Sequence, residues 1–376
     1  MNTDVRPIFD SHLDLAWNAL SFNRDLTLSV EEIREREAGV NDEPGRGRNT
    51  LTLVELRKAG VAVCVATLLA RSGPKQTRKE VSKRSDLDFS AQTIAYAAAM
   101  GQLAYYRLLE ELGHIRMIRT RAELKSHWDS WLKDERSTSN IQRPTSKEQA
   151  ALGIILSMEG ADPIVEVEQL GEWWEAGLRA IGLAHYGVGQ YAHGTATDGP
   201  LSEAGVTLLK EMERVGMICD VTHLSDQSMA MAFDIFGGRM LASHHNCRAL
   251  VPGDRQLTDE QIRRLIQRDA VIGVALDAWM LYPNWVRGQT KPEVVGLEAV
   301  ADHIDHVCQL AGNCRHSAIG TDLDGGYGNE QTPRDLKRFV DLQKLGPILA
   351  ARGYKDADID LIFWGNWLRF FSEALP

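Results

Sequence analysis

Residues 153–159 read GIILSME, a largely apolar run that ends in a carboxylate and is followed by Gly160. Seven further runs of about the same length have the same form and cover residues 8–15, 61–69, 179–185, 217–223, 239–245, 271–277 and 317–324. Several of them are rich in Val and Ile, which is typical of strands that are buried on both faces. The chain therefore predicts eight buried strands.

Helix-like stretches lie between many of these runs, at residues 165–176, 202–215, 258–268 and 297–310. Alternating strands and helices favour a parallel sheet with right-handed crossovers. Eight such strands predict an α/β fold of the (β/α)₈ TIM-barrel class. An open doubly wound sheet is the alternative, but no GxGxxG motif follows an early strand, so a dinucleotide site is unsupported.

The longest interruption of this strand–helix alternation is residues 70–152, which we interpret as a loop-and-helix insertion after strand 2. The whole chain, residues 1–376, is then a single barrel domain carrying this insertion. The charged stretch 31–48 is expected to be a surface loop after the first strand.

Composition narrows the possible partners. Lys plus Arg is 42 and Asp plus Glu is 52, which leaves a net charge of −10 and argues against nucleic acid as a ligand. No apolar stretch approaches the roughly 20 residues of a membrane helix, and the N-terminal segment lacks the apolar core of a signal peptide. No membrane partner and a cytoplasmic location are expected. Five scattered cysteines without a CxxC pair predict neither a disulfide framework nor a thiolate zinc site.

Residues able to bind metals or transfer protons recur at the ends of the predicted strands, at His12, Asp14, Glu159, His185, His223, His244 or His245, Asp322 and Asp324. In a barrel the carboxyl ends of the strands converge on one mouth, where active sites of this fold lie. Repetition at six strands makes coincidence a poor explanation.

His12 and Asp14 are separated by one residue, so they share a strand face and can reach one cation. Imidazole with carboxylate suits Zn²⁺, and the carboxylate also admits other divalent ions. His223 and one of the adjacent pair His244 and His245 can add nitrogen ligands. A carbamylated lysine bridges two metal ions in many barrel hydrolases, but no lysine occupies these strand ends. Glu159 is then the natural candidate for a bridge between two ions.

His303 and His306 form an HxxH pattern within the predicted helix 297–310. That helix belongs to the outer ring, so surface or packing roles are expected for both residues.

The motifs together resemble those of the membrane (renal) dipeptidase family, peptidase family M19, among the amidohydrolase-like metal-dependent hydrolases. They are DSHLDLAW at 10–17, MEG at 158–160, GLAH at 182–185, DVTH at 220–223, SHHN at 243–246, GTDLDG at 320–325 and WGNWLR at 364–369. They occur in family order and cover nearly the whole chain.

The resemblance implies two zinc ions, the first held by His12, Asp14 and Glu159. The second is held by Glu159, His223 and His244, so that Glu159 bridges the two.

The resemblance also implies that His185 contacts the substrate carbonyl and that Asp322, rather than Asp324, transfers protons. Arg255 stands eleven residues after His244, the family spacing for the arginine that binds the substrate carboxylate.

The implied activity is that of a zinc-dependent dipeptidase, in which a metal-bridging hydroxide hydrolyses the peptide bond of a small free dipeptide. The alternatives are another amidohydrolase-type activity, such as deacylation of N-acyl amino acids, and a non-catalytic binding barrel. A homodimer is compatible with this interpretation.

Overall fold

A computed structural model describes residues 5–73, 86–138 and 151–376. The predicted insertion 70–152 therefore falls partly outside the described residues, at 74–85 and 139–150.

Nine strands are present in the described part of the chain: β1 (Ile8–Leu13), β2 (Val61–Leu68), β3 (Ile115–Met117), β4 (Leu152–Glu159), β5 (Leu178–Gly182), β6 (Ile218–Asp220), β7 (Met240–Leu241), β8 (Ile272–Val274) and β9 (Ser317–Ile319). Eight of them coincide with the predicted runs, and β3 was not expected. Most are shorter than the apolar run that predicted them, because the chain leaves the sheet before the last residues of the run.

The pairings between the nine strands of the described residues are all parallel. The sheet runs in the order β1-β2-β4-β5-β6-β7, with β3 paired to β4, while β8 and β9 pair with each other. A bridge between Ala242 and Ile272 links the end of β7 to β8.

The sheet is curled. Ser11 on β1 donates its hydroxyl to the carbonyl oxygen of Ser243, just after β7, at 2.5 Å and to that of Ile319 on β9 at 3.1 Å. A flat sheet in this order could not bring β1 against the segment that follows β7. A Cβ added at Gly320 would lie 1.9 Å from the carbonyl oxygen of Ser243, so only glycine allows this close approach. The open-sheet alternative is therefore disfavoured.

The helices are α1 (Leu15–Ser21), α2 (Val30–Arg36), α3 (Leu53–Lys58), α4 (Gln92–Glu111), α5 (Arg121–Thr138), α6 (Leu170–Glu175), α7 (Glu203–Val215), α8 (Asp226–Ile235), α9 (Asp259–Gln267), α10 (Ala278–Leu281), α11 (Leu297–Ala311), α12 (Leu345–Ala351), α13 (Asp356–Asp360) and α14 (Asn366–Ala374). Short 3₁₀ turns occupy Val167–Gln169, Pro292–Val294 and Phe339–Lys344, and a π-turn occupies Leu361–Gly365.

Local sequence explains where the connecting helices begin and end. Before α7 the side chain of Ser202 accepts a hydrogen bond from the backbone N–H of Gly205, and after it Gly216 adopts a φ of 81°. Before α9, Thr258 and Gln261 form a reciprocal capping box. These signals agree with the predicted helices 202–215 and 258–268.

Two expectations need revision. Residues 31–48 are not simply a surface loop, because α2 spans most of their first half after a capping box of Ser29 and Glu32. The segment after β2 is not made only of loop and helix, because β3 lies between α4 and α5 in its described residues.

The C-terminal helix α14 packs against β1 and β9. The rings of Phe371 and Phe9 stack with centroids 5.4 Å apart, and the indole N–H of Trp367 donates to the carbonyl oxygen of Ile319 at 2.7 Å. Trp367 belongs to the motif at 364–369, so that motif has a packing role in this fold.

All five cysteines are free thiols. Among the described residues, no helix has both the length and the apolar character needed to cross a membrane.

Candidate active site

The predicted metal-binding residues lie at or just beyond the carboxyl ends of the strands. His12 is in β1, Asp14 follows it directly, and Glu159 is the last residue of β4. Each of four others stands three residues after the end of its strand: His185 after β5, His223 after β6, His244 after β7 and Asp322 after β9. Parallel strands end at one edge of the sheet, so these side chains converge.

Glu159 is at the centre of this group. Its Oε1 atom lies 3.2 Å from Nε2 of His223 and 3.3 Å from Nε2 of His244. The same oxygen lies 3.6 Å from Nε2 of His12 and 3.7 Å from Nε2 of His185. Four imidazoles, one from β1 and three from the segments that follow β5, β6 and β7, thus surround one carboxylate oxygen.

Two aspartates complete the cluster around His12. Its Nε2 lies 3.7 Å from Oδ1 of Asp14 and 3.9 Å from Oδ1 of Asp322. The hydroxyl of Thr67, on β2, donates to Oδ1 of Asp14 and so holds that carboxylate in place. The prediction that His12 and Asp14 face the same side agrees with this arrangement.

The donor set fits divalent cations. Candidate ligand atoms lie within 4.8 Å of one another in the groups His12–Glu159–His244, Glu159–His185–His223 and His12–Asp14–Asp322. Bonds of about 2.0–2.1 Å in a tetrahedral site put ligand atoms roughly 3.3 Å apart, and Nε2 of His223 is 3.2 Å from Nε2 of His244. Within the described chain, His12 Nε2 and Glu159 Oε2 are buried without a hydrogen-bond partner. Such orphaned polar atoms are costly unless a ligand satisfies them.

Hydroxyl groups behind two of the histidines orient their rings. Oγ1 of Thr195 lies 2.9 Å from Nδ1 of His223, and Oγ of Ser243 lies 2.8 Å from Nδ1 of His244. A hydroxyl oxygen can accept from an Nδ1–H, which leaves the lone pair on Nε2. Both lone pairs then point towards Glu159, as metal ligation requires.

Burial and neighbouring charges shift the pKa values of several groups in the cluster. Burial raises the pKa of Glu159 well above its usual value. Burial would lower the pKa of His12, but the negative charges of Glu159 and Asp14 outweigh it and raise that pKa to about 10. Burial holds the pKa values of His223 and His244 well below the usual range, so these imidazoles are neutral and able to ligate.

The structure distinguishes the neighbouring candidates left open by the sequence. His244 faces Glu159, whereas His245, which donates its backbone N–H to the carbonyl oxygen of Gly273 at 2.8 Å, is in none of the candidate metal groups.

Asp322 and Asp324 do not share a face, because β9 ends at Ile319 and both residues adopt positive φ. The carboxylate of Asp324 accepts hydrogen bonds from the backbone N–H and hydroxyl of Thr50, at 2.8 and 2.7 Å. It is a tether between two loops, whereas Asp322 lines the cavity.

Arg255 is buried, with 1% of its surface exposed, and lines the same cavity. Its Nη2 donates to the carbonyl oxygen of His244 at 3.0 Å, while Nη1 is buried without a partner in the described chain. Arg255 is therefore not a solvent-exposed surface residue. The unpaired N–H groups suit a carboxylate ligand.

The cavity has a volume of about 570 Å³ and opens above the cluster. Its wall also includes residues that were not predicted from the sequence to belong to the site, namely Trp17, Arg71, Tyr186, Asp277, Trp279, Trp285 and Arg287. Arg71 and Asp277 follow β2 and β8 by three residues each, so the strand-end rule that found the histidines would also have found them.

His303 and His306 lie outside this site. Nδ1 of His303 accepts from the backbone N–H of Cys247 at 3.0 Å, and Nε2 of His306 lies 2.7 Å from Oδ1 of Asp259. Their packing roles agree with the sequence-based expectation.

A model of the membrane dipeptidase family, peptidase family M19, matches residues 3–375. A Klebsiella pneumoniae protein from the region 5′ of pqqA is 30% identical over 63% of this chain and 87% of its own length. Dipeptidase aclJ of Aspergillus oryzae is 28% identical, with 66% of this chain and 58% of the relative aligned. Dipeptidase tcpJ of Claviceps purpurea is 29% identical, with 53% of this chain and 45% of the relative aligned. The aligned region spans about half the length of these two fungal proteins.

Solved structures share the fold. A metallopeptidase from Rhodobacter sphaeroides, liganded with a phosphinate mimic of the dipeptide L-Ala-D-Ala, has a TM-score of 0.76 at 20% identity over 99% of this chain and all of its own. The probable dipeptidase PvdM of Pseudomonas aeruginosa has a TM-score of 0.72 at 18% identity, covering 100% of this chain and 96% of its own.

Proposed function

The chain belongs to the membrane dipeptidase family, peptidase family M19, and from that premise we propose that it hydrolyses the peptide bond of free dipeptides with two zinc ions. The observation that carries the proposal is Oε1 of Glu159 within 3.7 Å of four imidazole nitrogens. This buried carboxylate among four imidazoles supports the proposal that Glu159 is shared between two cations.

Under this proposal His12, Asp14 and Glu159 hold one ion. Glu159, His223 and His244 hold the other. When bound, two divalent ions supply an activated water and polarise the carbonyl group that it attacks.

Asp322 is proposed to hold and transfer the proton. Burial and then repulsion by Asp14 raise its pKa to about 8, with His12 opposing the shift. A carboxyl group with a pKa near neutrality can take a proton from the attacking water and give it to the departing amine. Its side chain is partly open to the cavity, with 16% of its surface exposed.

His185 and Arg255 are proposed to position the substrate. The imidazole of His185 lines the cavity beside Glu159 and can donate to the carbonyl oxygen as negative charge develops there. The buried fork of Arg255 can pair with the free α-carboxylate of a dipeptide. With the carboxylate held there, the scissile bond lies one residue away, which restricts substrates to short peptides.

The proposal extends to the closure of the fold. Without β3, the eight strands correspond to those of a (β/α)₈ barrel, with residues 70–152 as an insertion after its second strand. The contacts of Ser11 with the carbonyl oxygens of Ser243 and Ile319 support this closure.

The test is a comparison of initial rates for zinc-loaded protein on four matched substrate classes: free dipeptides, their C-terminal amides, tripeptides, and N-acyl amino acids. Dipeptides are expected to be cleaved much faster than the amides and tripeptides. Faster cleavage of N-acyl amino acids would favour the deacylase alternative, and cleavage of none of the four would reject a hydrolase acting on such amides.

A further inference from the structure

The site includes an arginine with an unusual contact. Arg71 stands three residues after the end of β2, and its side chain is 4% exposed. Its Nη1 lies 3.0 Å from Nδ1 of His185, and its Nη2 donates to Oδ2 of Asp88 at 2.7 Å. The guanidinium therefore has a fixed position directly behind the imidazole that faces Glu159.

The chemistry of the guanidinium determines which proton the imidazole carries. Arginine has five N–H donors and no acceptor, so Nδ1 of His185 must accept. In a neutral imidazole the proton then lies on Nε2. The doubly protonated ring is incompatible with this contact, because both of its nitrogens are donors.

This tautomer is opposite to that of the neighbouring histidines. Nδ1 of His223 and Nδ1 of His244 face hydroxyl oxygens, which leaves their Nε2 lone pairs directed at Glu159. His185 instead directs an N–H towards Glu159, at 3.7 Å. A nitrogen that carries a proton cannot bind a metal ion. In this tautomer Nε2 of His185 is therefore not a metal ligand, even though a ring nitrogen of His185 lies within 4.8 Å of the ligand atoms of Glu159 and His223.

We infer that Arg71 is a positioning residue that fixes His185 as an Nε2–H donor towards the substrate carbonyl and keeps it out of the metal-ligand set. The role towards the carbonyl rests on the proposed function. The tautomer itself does not, because it follows from the contact between two residues of this chain.

The backbone around Arg71 supports a positioning role. Its N–H donates to the carbonyl oxygen of Leu87, and its own carbonyl accepts from the N–H of Phe89, both at 2.8 Å. Backbone pairing and the ion pair with Asp88 together hold the guanidinium in place.

The direct test is ¹⁵N NMR of histidine-labelled, zinc-loaded protein, with the His185 signals identified by their loss in His185→Gln. The chemical shifts of the two ring nitrogens report the tautomer of a histidine directly. We expect Nδ1 of His185 to have the downfield shift of an unprotonated nitrogen and Nε2 the upfield shift of a protonated one. A protonated Nδ1 in the wild-type protein would overturn the inference.

Three variants separate this role from a merely structural one. Arg71→Met should change the ring-nitrogen shifts of His185 and lower kcat about 10- to 100-fold, with a much smaller change in KM. Arg71→Lys keeps a hydrogen-bond donor at this position, so it should partly restore the ring-nitrogen shifts of His185 and kcat. Asp88→Asn removes the ion pair but keeps the guanidinium, so the tautomer should persist. Unchanged His185 shifts in Arg71→Met would overturn the inference even if that variant were less active.

Metal content provides a further readout. His185→Gln should retain the zinc content of the wild-type protein, and loss of an ion would show that His185 is a ligand. If the wild-type protein cleaves no dipeptide, the proposed function fails while the NMR result still decides the tautomer.

Discussion

Arg255 donates through Nη2 to the backbone carbonyl oxygen of His244 at 3.0 Å. The proposed carboxylate-binding group is thus anchored to the residue proposed as a metal ligand, which sets the distance between the charged end of a substrate and the bond to be broken. Its second terminal nitrogen, Nη1, is buried without a partner in the described chain.

Replacing Arg255 with Met should therefore lower kcat/KM for free dipeptides strongly and for their C-terminal amides only slightly. A charge-assisted pair in a desolvated site is worth roughly 2–5 kcal/mol, or about 30- to several-thousand-fold. Steady-state kinetics on matched acid and amide pairs measures the difference. Arg264→Met is the control, because Arg264 pairs with Asp234 outside the cavity lining. Equal effects of Arg255→Met on acids and amides would contradict the carboxylate role.

Glu159→Gln should reduce the bound zinc from about two ions per chain to fewer than one. The amide keeps the size of the side chain but loses the negative charge that two cations would share. Metal analysis of dialysed protein measures the loss, with Glu55→Gln as a control in a buried glutamate that does not line the cavity. A variant that still held two ions would show that the bridging assignment is wrong.

Asp322→Asn should retain both ions but lose about 10²–10⁴-fold in kcat, since the amide cannot carry the transferred proton. Asp324→Asn should show the opposite pattern, with a lowered melting temperature and a much smaller change in kcat, because Asp324 tethers Thr50. Rates, metal content and thermal unfolding are compared for the two variants. If Asp324→Asn were the inactive one, the proton-transfer role would belong to that residue.

Asp277→Asn should become more stable relative to the wild-type protein as the pH rises from 5 to 8. Burial raises the pKa of Asp277 to about 7 from its ordinary value of 3.8, so the folded state binds more protons than the unfolded state between these values. Stability conferred by the protonated carboxyl is thus greatest at low pH and is lost as the pH rises towards 7. The variant does not titrate there.

Thermal unfolding of metal-free protein across this range measures the effect of Asp277→Asn. From pH 5 to pH 8, the difference in melting temperature between the variant and the wild-type protein should grow by roughly a few °C. A difference that stayed constant with pH would mean that Asp277 does not titrate in this window.

Sequence alone determined the strand positions and the chemical types at their ends. Runs of apolar residues at 8–15, 153–159 and 217–223 are long enough to identify buried strands. Parallel strands have their carboxyl ends at one edge. His12, Glu159 and His223 could therefore be grouped before any contact was known.

Tertiary structure alone decided which of two neighbouring candidates faces the site. Strand alternation stops where the ladder stops, and after β6 and β9 the backbone turns through positive φ at His223 (67°) and Asp322 (58°). The direction of a side chain in such a turn depends on contacts that sequence spacing does not contain. Asp324 turns towards Thr50, 274 residues away, and Arg71 meets His185, 114 residues away. The donor and acceptor chemistry of the site depends on these long-range pairs, because each fixes an orientation or a protonation state that residue type alone leaves open.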